Sequence, residues 1–369
     1  MADTTTEVRE ERRPARHEVE EVAPGVLRIQ LPITMPGLGH VNCYAMEDDR
    51  GVALVDPGLP GPGTWRQLTR RLASCGLPVE RVHTVVVTHS HPDHFGQAAR
   101  LRSRVGAEVV THRSFRTFLD PSAENDDADP VTVFEGPDGV TVVPNDQPAR
   151  IGPPQDGPLA TSTPWGGKPF ELPLARRVRY RAMRWAAGRF VATPQPTRRV
   201  EDADVLCLGG REWISVHTPG HTQDHLCLWD PAHGVMISGD HVLPTITPHI
   251  SGMGVTADPL ADFFSSLDRM STFEGATTVL PAHGLVFSDL SGRVDAIKQH
   301  HHERLETLRR SGGELGRAPV EDYMQRLFQP RSWGAMAESE TYAHLEHLRR
   351  ARQASVSTDG SRLLYEMID

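Results

Sequence analysis

The sequence predicts an α/β fold with a reactive edge, on two observations. Apolar, β-branched runs of strand length alternate with helical patterns along the chain. Four of these runs close on a histidine or aspartate followed by a glycine or a turn: residues 82–88 before His89, 213–216 before His221, VMISG before Asp240 and TTVLPA before His283. Ligand-type side chains at several strand ends can meet at one edge of a sheet, where loops carry chemistry on a rigid frame.

Taken in order, residues 26–30, 40–47 and 51–56 have the composition of strands, the third ended by the turn Asp56-Pro57-Gly58. A helix is expected over 63–75, with Trp65, Leu68 and Leu72 at helical spacing. Residues 82–88 (VHTVVVT) are nearly continuously apolar, as in a buried strand. The run opens into THSHPDHFG, where Pro92 stiffens the turn and Phe95-Gly96 leads into a helix over 94–104. A strand at 108–111 follows. Later, 225–230 (HLCLWD) and 234–240 (GVMISGD) read as a hairpin, and His217 falls in a strand. From 290 the pattern is helical. RVDAIKQHHHERLETLRRSG stops at Gly312-Gly313, two more helical stretches follow, and ASVSTDG and SRLLYEMI end the chain as strands. The triplet His300, His301 and His302 reads mostly as surface, because adjacent helix positions point in different directions.

The chemistry lies in the ligand string. His89, His91, Asp93 and His94 fall within six residues. Imidazole with carboxylate suits divalent zinc, with manganese or iron as alternatives. With His221, Asp240 and His283 added, the set resembles the metallo-β-lactamase superfamily pattern at all seven positions and in chain order. The resemblance covers about residues 21–120 and 204–290. It implies an αββα sandwich holding two divalent metal ions, most simply Zn2+. His89, His91 and His221 would hold the first ion, Asp93, His94 and His283 the second, and Asp240 would bridge them. It also implies hydrolysis through a metal-bound hydroxide, with Asp93 and Asp240 catalytic as ligands rather than as free bases. Asp56 matches a carboxylate that supports the ligand loop from behind; a plain turn residue is the other reading. TPGHT at 218–222 is shared with hydroxyacylglutathione hydrolases and homoserine-lactone lactonases. The longer TPGHTQDH is similar to a lactamase-like branch that has a C-terminal helical domain and includes endoribonucleases. The segment after 290 resembles the small winged-helix-like domain of such proteins. His225, His241 and His249 lie near the ligands and either support them or face substrate, where a neutral imidazole can protonate a leaving group.

The expected organisation is a disordered, mixed-charge arm over 1–20, a catalytic domain over 21–290 and a winged-helix-like domain over 291–369. The catalytic domain is interrupted at 120–203 by an acidic, Pro-rich tract and then ELPLARRVRYRAMRWAAGRF. Arg177, Arg181 and Arg184 there suit a lid that grips an anionic substrate. Pairing with the insertion's own carboxylates is the bland alternative.

Composition bounds the rest. The 369 residues are 38% hydrophobic, ample for a core, and carry a net charge of −9. After Leu290 acidic and basic residues are equal in number, so nucleic acid is a poor partner for that segment. No apolar run spans a membrane, and the N-terminus has no signal-peptide core. Cys43, Cys75, Cys207 and Cys227 are scattered, as in a reduced protein. The expectation is a cytoplasmic enzyme acting on a small molecule, with an anionic substrate and a homodimer left open. Three activities remain: hydrolysis of a thioester, ester or lactone; cleavage of a phosphodiester or RNA; and iron-dependent sulfur dioxygenation.

Overall fold

A computed structural model of the chain describes residues 8–35, 37–117, 134–135, 141–142, 163–166, 193–254, 256–360 and 362–368. Most of the insertion expected to form a lid, with Arg177, Arg181 and Arg184, lies outside the described residues.

Six strands precede the insertion: β1 (Val19–Ala23), β2 (Val26–Met35), β3 (Leu38–Asp48), β4 (Gly51–Val55), β5 (Val82–Val86) and β6 (Glu108–His112). Within it, β7 (Phe134–Glu135) and β8 (Thr141–Val142) form a two-stranded ribbon. β9 (Arg198–Val200) then pairs in parallel with β6, completing a seven-stranded sheet in the order β1-β2-β3-β4-β5-β6-β9. Five strands form a second sheet in sequential order: β10 (Val205–Leu208), β11 (Arg211–His217), β12 (Leu226–Asp230), β13 (Val235–Gly239) and β14 (Thr278–Pro281).

Period-two alternation divides the strands between three apolar layers. In β4, Ala53 and Val55 face the second sheet while Val52 and Leu54 face outward. In β12, Leu226 and Leu228 face the first sheet, and Cys227 turns away. Trp213, fully buried, lies in the layer between the sheets. Outside the first sheet, Leu68 and Leu72 of α1 (Pro62–Ser74) and Ala98 and Leu101 of α3 (Ala98–Val105) cover one apolar face. Outside the second, Leu260, Phe263 and Leu267 of α4 (Pro259–Met270) cover the other. Asp258 starts α4 by accepting a hydrogen bond from the Ala261 N–H, and Pro259 has no N–H to strand at the first position. The order helix, sheet, sheet, helix is the αββα layering the sequence predicts.

The chain continues through α5 (Leu290–Leu315), β15 (Ala318–Pro319), α6 (Val320–Leu327), α7 (Ala335–Arg350), β16 (Ala354–Asp359) and β17 (Arg362–Met367). The three helices and terminal hairpin are those expected, with the short β15 added to give the order β15-β17-β16. Val294, Ile297, Leu305, Leu345 and Tyr365 share one apolar cluster with α4 and the second sheet.

Four expectations need correction. The described part of the arm is tied to the body at two points: Glu11 is buried and accepts from Thr245, 234 residues away, and the His40 ring donates to the Arg13 carbonyl at 2.9 Å. Mixed charge suggested a solvated arm because such distant partners leave no local pattern. The helix expected over 94–104 is two pieces, α2 (Pro92–Phe95) and α3, broken at Gly96-Gln97. α5 runs through Gly312-Gly313 to Leu315. His301 is buried while His302 is exposed, so the triplet spans core and surface.

The break between α2 and α3 has a steric cause. A Cβ on Gly96 would lie 2.1 Å from Pro60 N and 2.4 Å from Leu59 C, although its φ of −60° is ordinary. Gly96→Ala is therefore expected to cost about 1–3 kcal/mol or more through overpacking. Urea unfolding reads this directly, and an unchanged midpoint would mean that the corner has slack.

Candidate metal centre

Two parallel pairings set the reactive edge. β4 and β5 run side by side, so Asp56 and Thr88 emerge together, with the Asp56 N–H donating to the Val86 carbonyl at 3.0 Å. β13 and β14 likewise bring out Asp240 and His283 together. The sheets are tied at this edge by Leu226 N–H to Thr88 O (2.8 Å), Asn42 N–H to Ala282 O (2.7 Å) and Tyr44 OH to Pro281 O (2.6 Å). The string after Thr88 therefore folds over strand ends that are already fixed. Pro92 opens α2 at a position where its missing N–H costs nothing, and the short helix turns Asp93 and His94 into the interior.

All seven predicted ligands meet there. The ring nitrogens of His89 and His91 are 2.9 Å apart, and those of His221 and His91 3.1 Å. Asp240 Oδ2 lies 3.6 Å from His221 Nε2, 3.9 Å from His89 Nε2 and 3.7 Å from His94 Nε2. Its other oxygen, Oδ1, is 3.3 Å from His283 Nε2. Asp93 Oδ2 is 3.6 Å from both His94 Nε2 and His283 Nε2. The donors fall into two groups, His89, His91, His221 and Asp240 in one and Asp93, His94 and His283 in the other, with Asp240 facing both.

A cation fits this chemistry. His94 Nε2, His283 Nε2 and Asp240 Oδ1 are buried and make no well-formed hydrogen bond, despite the 3.3 Å approach of the last two. Burial and then neighbouring imidazoles hold His89 and His91 well below the usual histidine range, leaving neutral rings with a lone pair to give. Burial also disfavours protonated His94, but Asp93, Asp56 and Asp240 outweigh it and push the ring up to about 10. His283 is raised against burial by Asp240 and Asp93. Burial acts against ionised Asp240, yet His283 and His94 hold its carboxyl well below the ordinary range. Without a metal the second group gathers protons where its carboxylates call for positive charge.

In four of the five candidate ligand imidazoles the nitrogen that faces away is also fixed, which sets tautomer and ring plane. His94 Nδ1 donates to Asp56 Oδ2 at 2.8 Å, His283 Nδ1 to the His40 carbonyl at 2.8 Å and His221 Nδ1 to the His249 carbonyl at 2.7 Å. His89 Nδ1 is 3.0 Å from Thr88 Oγ1. Asp56 also accepts from the Thr88 N–H (2.8 Å) and hydroxyl (2.7 Å). It does so from a left-handed backbone, φ 54°, which aspartate tolerates better than most residues. Asp56 thus stands behind the ligand loop, the first of its two readings.

Residues 36–323 match the metallo-beta-lactamase superfamily. The chain belongs to that superfamily. It is similar to "Probable metallo-hydrolase YqjP" of Bacillus subtilis (strain 168), with 25% identity over 92% of this chain and 97% of that protein. It also resembles the crystal structure of the metallo-beta-lactamase family protein TTHA1429 from Thermus thermophilus. There the TM-score is 0.69 and the identity 26%, over 94% of this chain and all of that one. Shorter matches reach an "Atrochrysone carboxyl ACP thioesterase" of Cryptosporiopsis sp., 32% identical over 29% of this chain and 31% of that protein. An "Acyl-coenzyme A thioesterase" of Gallus gallus is 39% identical over 16% of this chain and 21% of its own length. The chain is an enzyme, a metallo-hydrolase of this superfamily.

The three histidines that the superfamily reading left open have three different surroundings. His225 is fully buried; its Nε2 accepts from the Asp240 N–H at 3.0 Å, and Nδ1 bonds Thr218 Oγ1 at 2.8 Å. It steadies the bridging aspartate. Gly239 makes room for it: at φ 52° the backbone turns into Asp240, and a Cβ there would lie 2.6 Å from His225 Nε2. His241 is fully buried beside Phe263, ring centroids 5.0 Å apart, and desolvation lowers it to about 3. It packs in the interior rather than lining a pocket. His249 gives its carbonyl to His221 and its ring to Glu340. Thr88 and His40 went unread in the sequence; a backbone carbonyl such as that of His40 carries no residue-type signal at all.

A third group of ligand types, His301, Glu340 and His344, is buried between α5 and α7. Most of its polar atoms have partners, His301 Nε2 being the exception. His344 Nδ1 donates to the Glu340 carbonyl at 2.7 Å, leaving Nε2 to accept from His301 Nδ1 at 3.0 Å. Glu340 is paired with Arg304. The group reads as a helix-to-helix bond network.

Asp56→Ala removes three hydrogen bonds from the ligand loop and none of the seven donors. It is expected to weaken metal binding about 10–100-fold. Competition with a chromophoric chelator measures this; undiminished affinity would reduce Asp56 to a turn residue.

Proposed function

We propose that this enzyme is a dinuclear metallo-hydrolase that cleaves an acyl thioester. One observation carries the dinuclear part: Asp240 lies between the two donor groups, Oδ2 3.6 Å from His221 Nε2 and 3.7 Å from His94 Nε2, and Oδ1 3.3 Å from His283 Nε2. His89, His91 and His221 would hold one divalent ion and Asp93, His94 and His283 the other, with Asp240 between them. Zinc suits this set of imidazoles and carboxylates, with manganese and iron as substitutes. Such a pair supplies Lewis acidity and a water acidified toward neutral pH.

The chain's own residues hold that chemistry in place. Asp93 and Asp240 serve as ligands, because a carboxylate beside a dication is a poor proton acceptor. His225 keeps Asp240 in register through its backbone N–H, and Asp56 keeps His94 in one tautomer. Thioester cleavage, among ester-like reactions at carbon, is supported by the two thioesterases that the chain resembles over part of its length. A cleft of ≈ 350 Å3 beside His249 suits a small-molecule substrate. Polar Thr247, His300 and Arg304 and apolar Phe328 and Met336 line it, as would suit an arm of mixed polarity. Among the described residues, no helix is long and apolar enough to cross a membrane.

The test is a substrate panel of acyl thioesters, esters, lactones and bis-p-nitrophenyl phosphate, before and after chelation and zinc reloading. Thioesters are expected to turn over fastest, with activity lost on chelation and restored by zinc. Fastest turnover of the phosphodiester would replace this reading with phosphoryl chemistry, and iron-dependent oxygen uptake would replace it with dioxygenation. Elemental analysis is expected to give two equivalents of metal per chain. Asp240→Ala should lose one of them and at least about 100-fold in rate. Asp93→Asn should weaken metal binding as well as turnover; full metal content with a shifted pH profile would restore a separate base role.

A further inference from the structure

Of the four anchored ligand imidazoles, three have their anchors at the first sheet. Thr88 follows β5, Asp56 follows β4, and His40 lies within β3. The fourth, His221, is anchored on a carbonyl in a loop, that of His249. A loop holds a ligand in place only as firmly as the loop itself is held.

The hold on this loop comes from α7. Glu340 is only 8% exposed, and one of its oxygens lies 3.3 Å from His249 Nδ1. Its other oxygen accepts from Arg304 of α5, whose guanidinium also lies over the Phe328 ring, 4.7 Å from the centroid. Two residues on, the Gly252 N–H donates to the Ser339 carbonyl at 3.2 Å, and the Ser251 and Ser339 hydroxyls are 3.1 Å apart. Residues 249–252 are thus fastened to one turn of α7, Ser339 and Glu340. Burial works against an ionised Glu340, but the His249 bond and the Arg304 charge overcome it and hold the carboxyl at about 2. The clamp is a charge-assisted one.

We propose that Glu340 is a positioning residue for the metal centre, setting through His249 the carbonyl that fixes the ring plane and tautomer of His221. The helices after Leu290 are then a working part of the site. The proposal rests on the dinuclear reading given above, and wild-type metal stoichiometry tests that reading by itself.

The experiment compares full-length wild type, His249→Ala, His249→Gln and Glu340→Gln. Each is stripped by chelation and titrated with cobalt(II), reading visible absorption and bound equivalents. His249→Ala keeps the carbonyl at 249 and the Arg304–Glu340 pair but removes the clamp, so it decides the matter. It is expected to bind the first equivalent about 10–100-fold more weakly, with altered band intensities. On zinc its kcat should fall more than its KM rises. His249→Gln retains a side-chain N–H for Glu340 and should recover most of the affinity. Glu340→Gln should show the same cobalt defect together with a loss of thermal stability, because it leaves Arg304 without its counter-charge. Wild-type affinity and spectrum in His249→Ala would overturn the proposal, as would a defect that His249→Gln fails to rescue. Fewer than two equivalents in the wild type would instead overturn the dinuclear reading on which it stands.

Discussion

A buried carboxylate that faces two sets of imidazoles is the constraint around which this molecule is arranged. Asp240 lies in the interior, ionised, within 3.9 Å of four histidine nitrogens. An isolated charge so buried is costly unless paired or bound to a cation. The carboxylates around His94 and His283 raise the basicity of both rings, a sign of the same demand for positive charge. Two dications would meet it fully and also engage the neutral His89 and His91, which protons do not. Asp93 adds a second carboxylate to this demand, its Oδ2 lying 3.6 Å from both His94 Nε2 and His283 Nε2.

The rest of the fold serves to bring distant side chains to that point. Parallel pairing of β4 with β5 and of β13 with β14 aligns the ends of strands from two sheets, and hydrogen bonds across the edge tie those ends together. Trp213 and its neighbours fill the layer between, so the edges cannot slide apart without opening a core. The anchors behind the ligands use the same scaffold. Asp56 shows the economy of this: one carboxylate holds the Thr88 backbone, the Thr88 hydroxyl and His94.

The ligands were legible in the sequence because each needs a particular residue type at a strand end, and strand ends are marked by apolar runs and by glycine. The layering was legible for a related reason, since alternation along β4 and β12 is the imprint of two different faces. What stayed hidden was whatever depends on the backbone or on long-range partners. The His40 and His249 carbonyls anchor ligands, yet any residue offers a carbonyl. Glu11 looked like part of a solvated arm because Thr245 is 234 positions away. His225 and His241 are adjacent to ligands and of one residue type, but only packing separates the one that bonds Asp240 from the one that lies against Phe263.

The same distinction bears on where substrate selection resides. The seven donors are a general hydrolytic device, and nothing in their arrangement separates a thioester from an ester. Selection has to come from surfaces other than the donors, and the cleft at His249 is built from two sources. The loop after Asp240 contributes Thr247 and His249, while α5, α7 and the segment between α6 and α7 contribute His300, Arg304, Phe328 and Met336. Residues 163–166 of the insertion also reach this side of the molecule. Trp165 Nε1 donates to Glu338 at 3.2 Å, and the Trp165 carbonyl accepts from the Leu363 N–H at 2.8 Å. Arg304 cannot read an anion there as a free charge, because Glu340 and Phe328 already engage it. It presents a guanidinium fixed in orientation and partly neutralised, better suited to hydrogen-bonding a polar arm than to attracting charge from a distance. Glu340 both lines this cleft and holds His249, so a change made at this wall would be felt at the loop that anchors His221 as well.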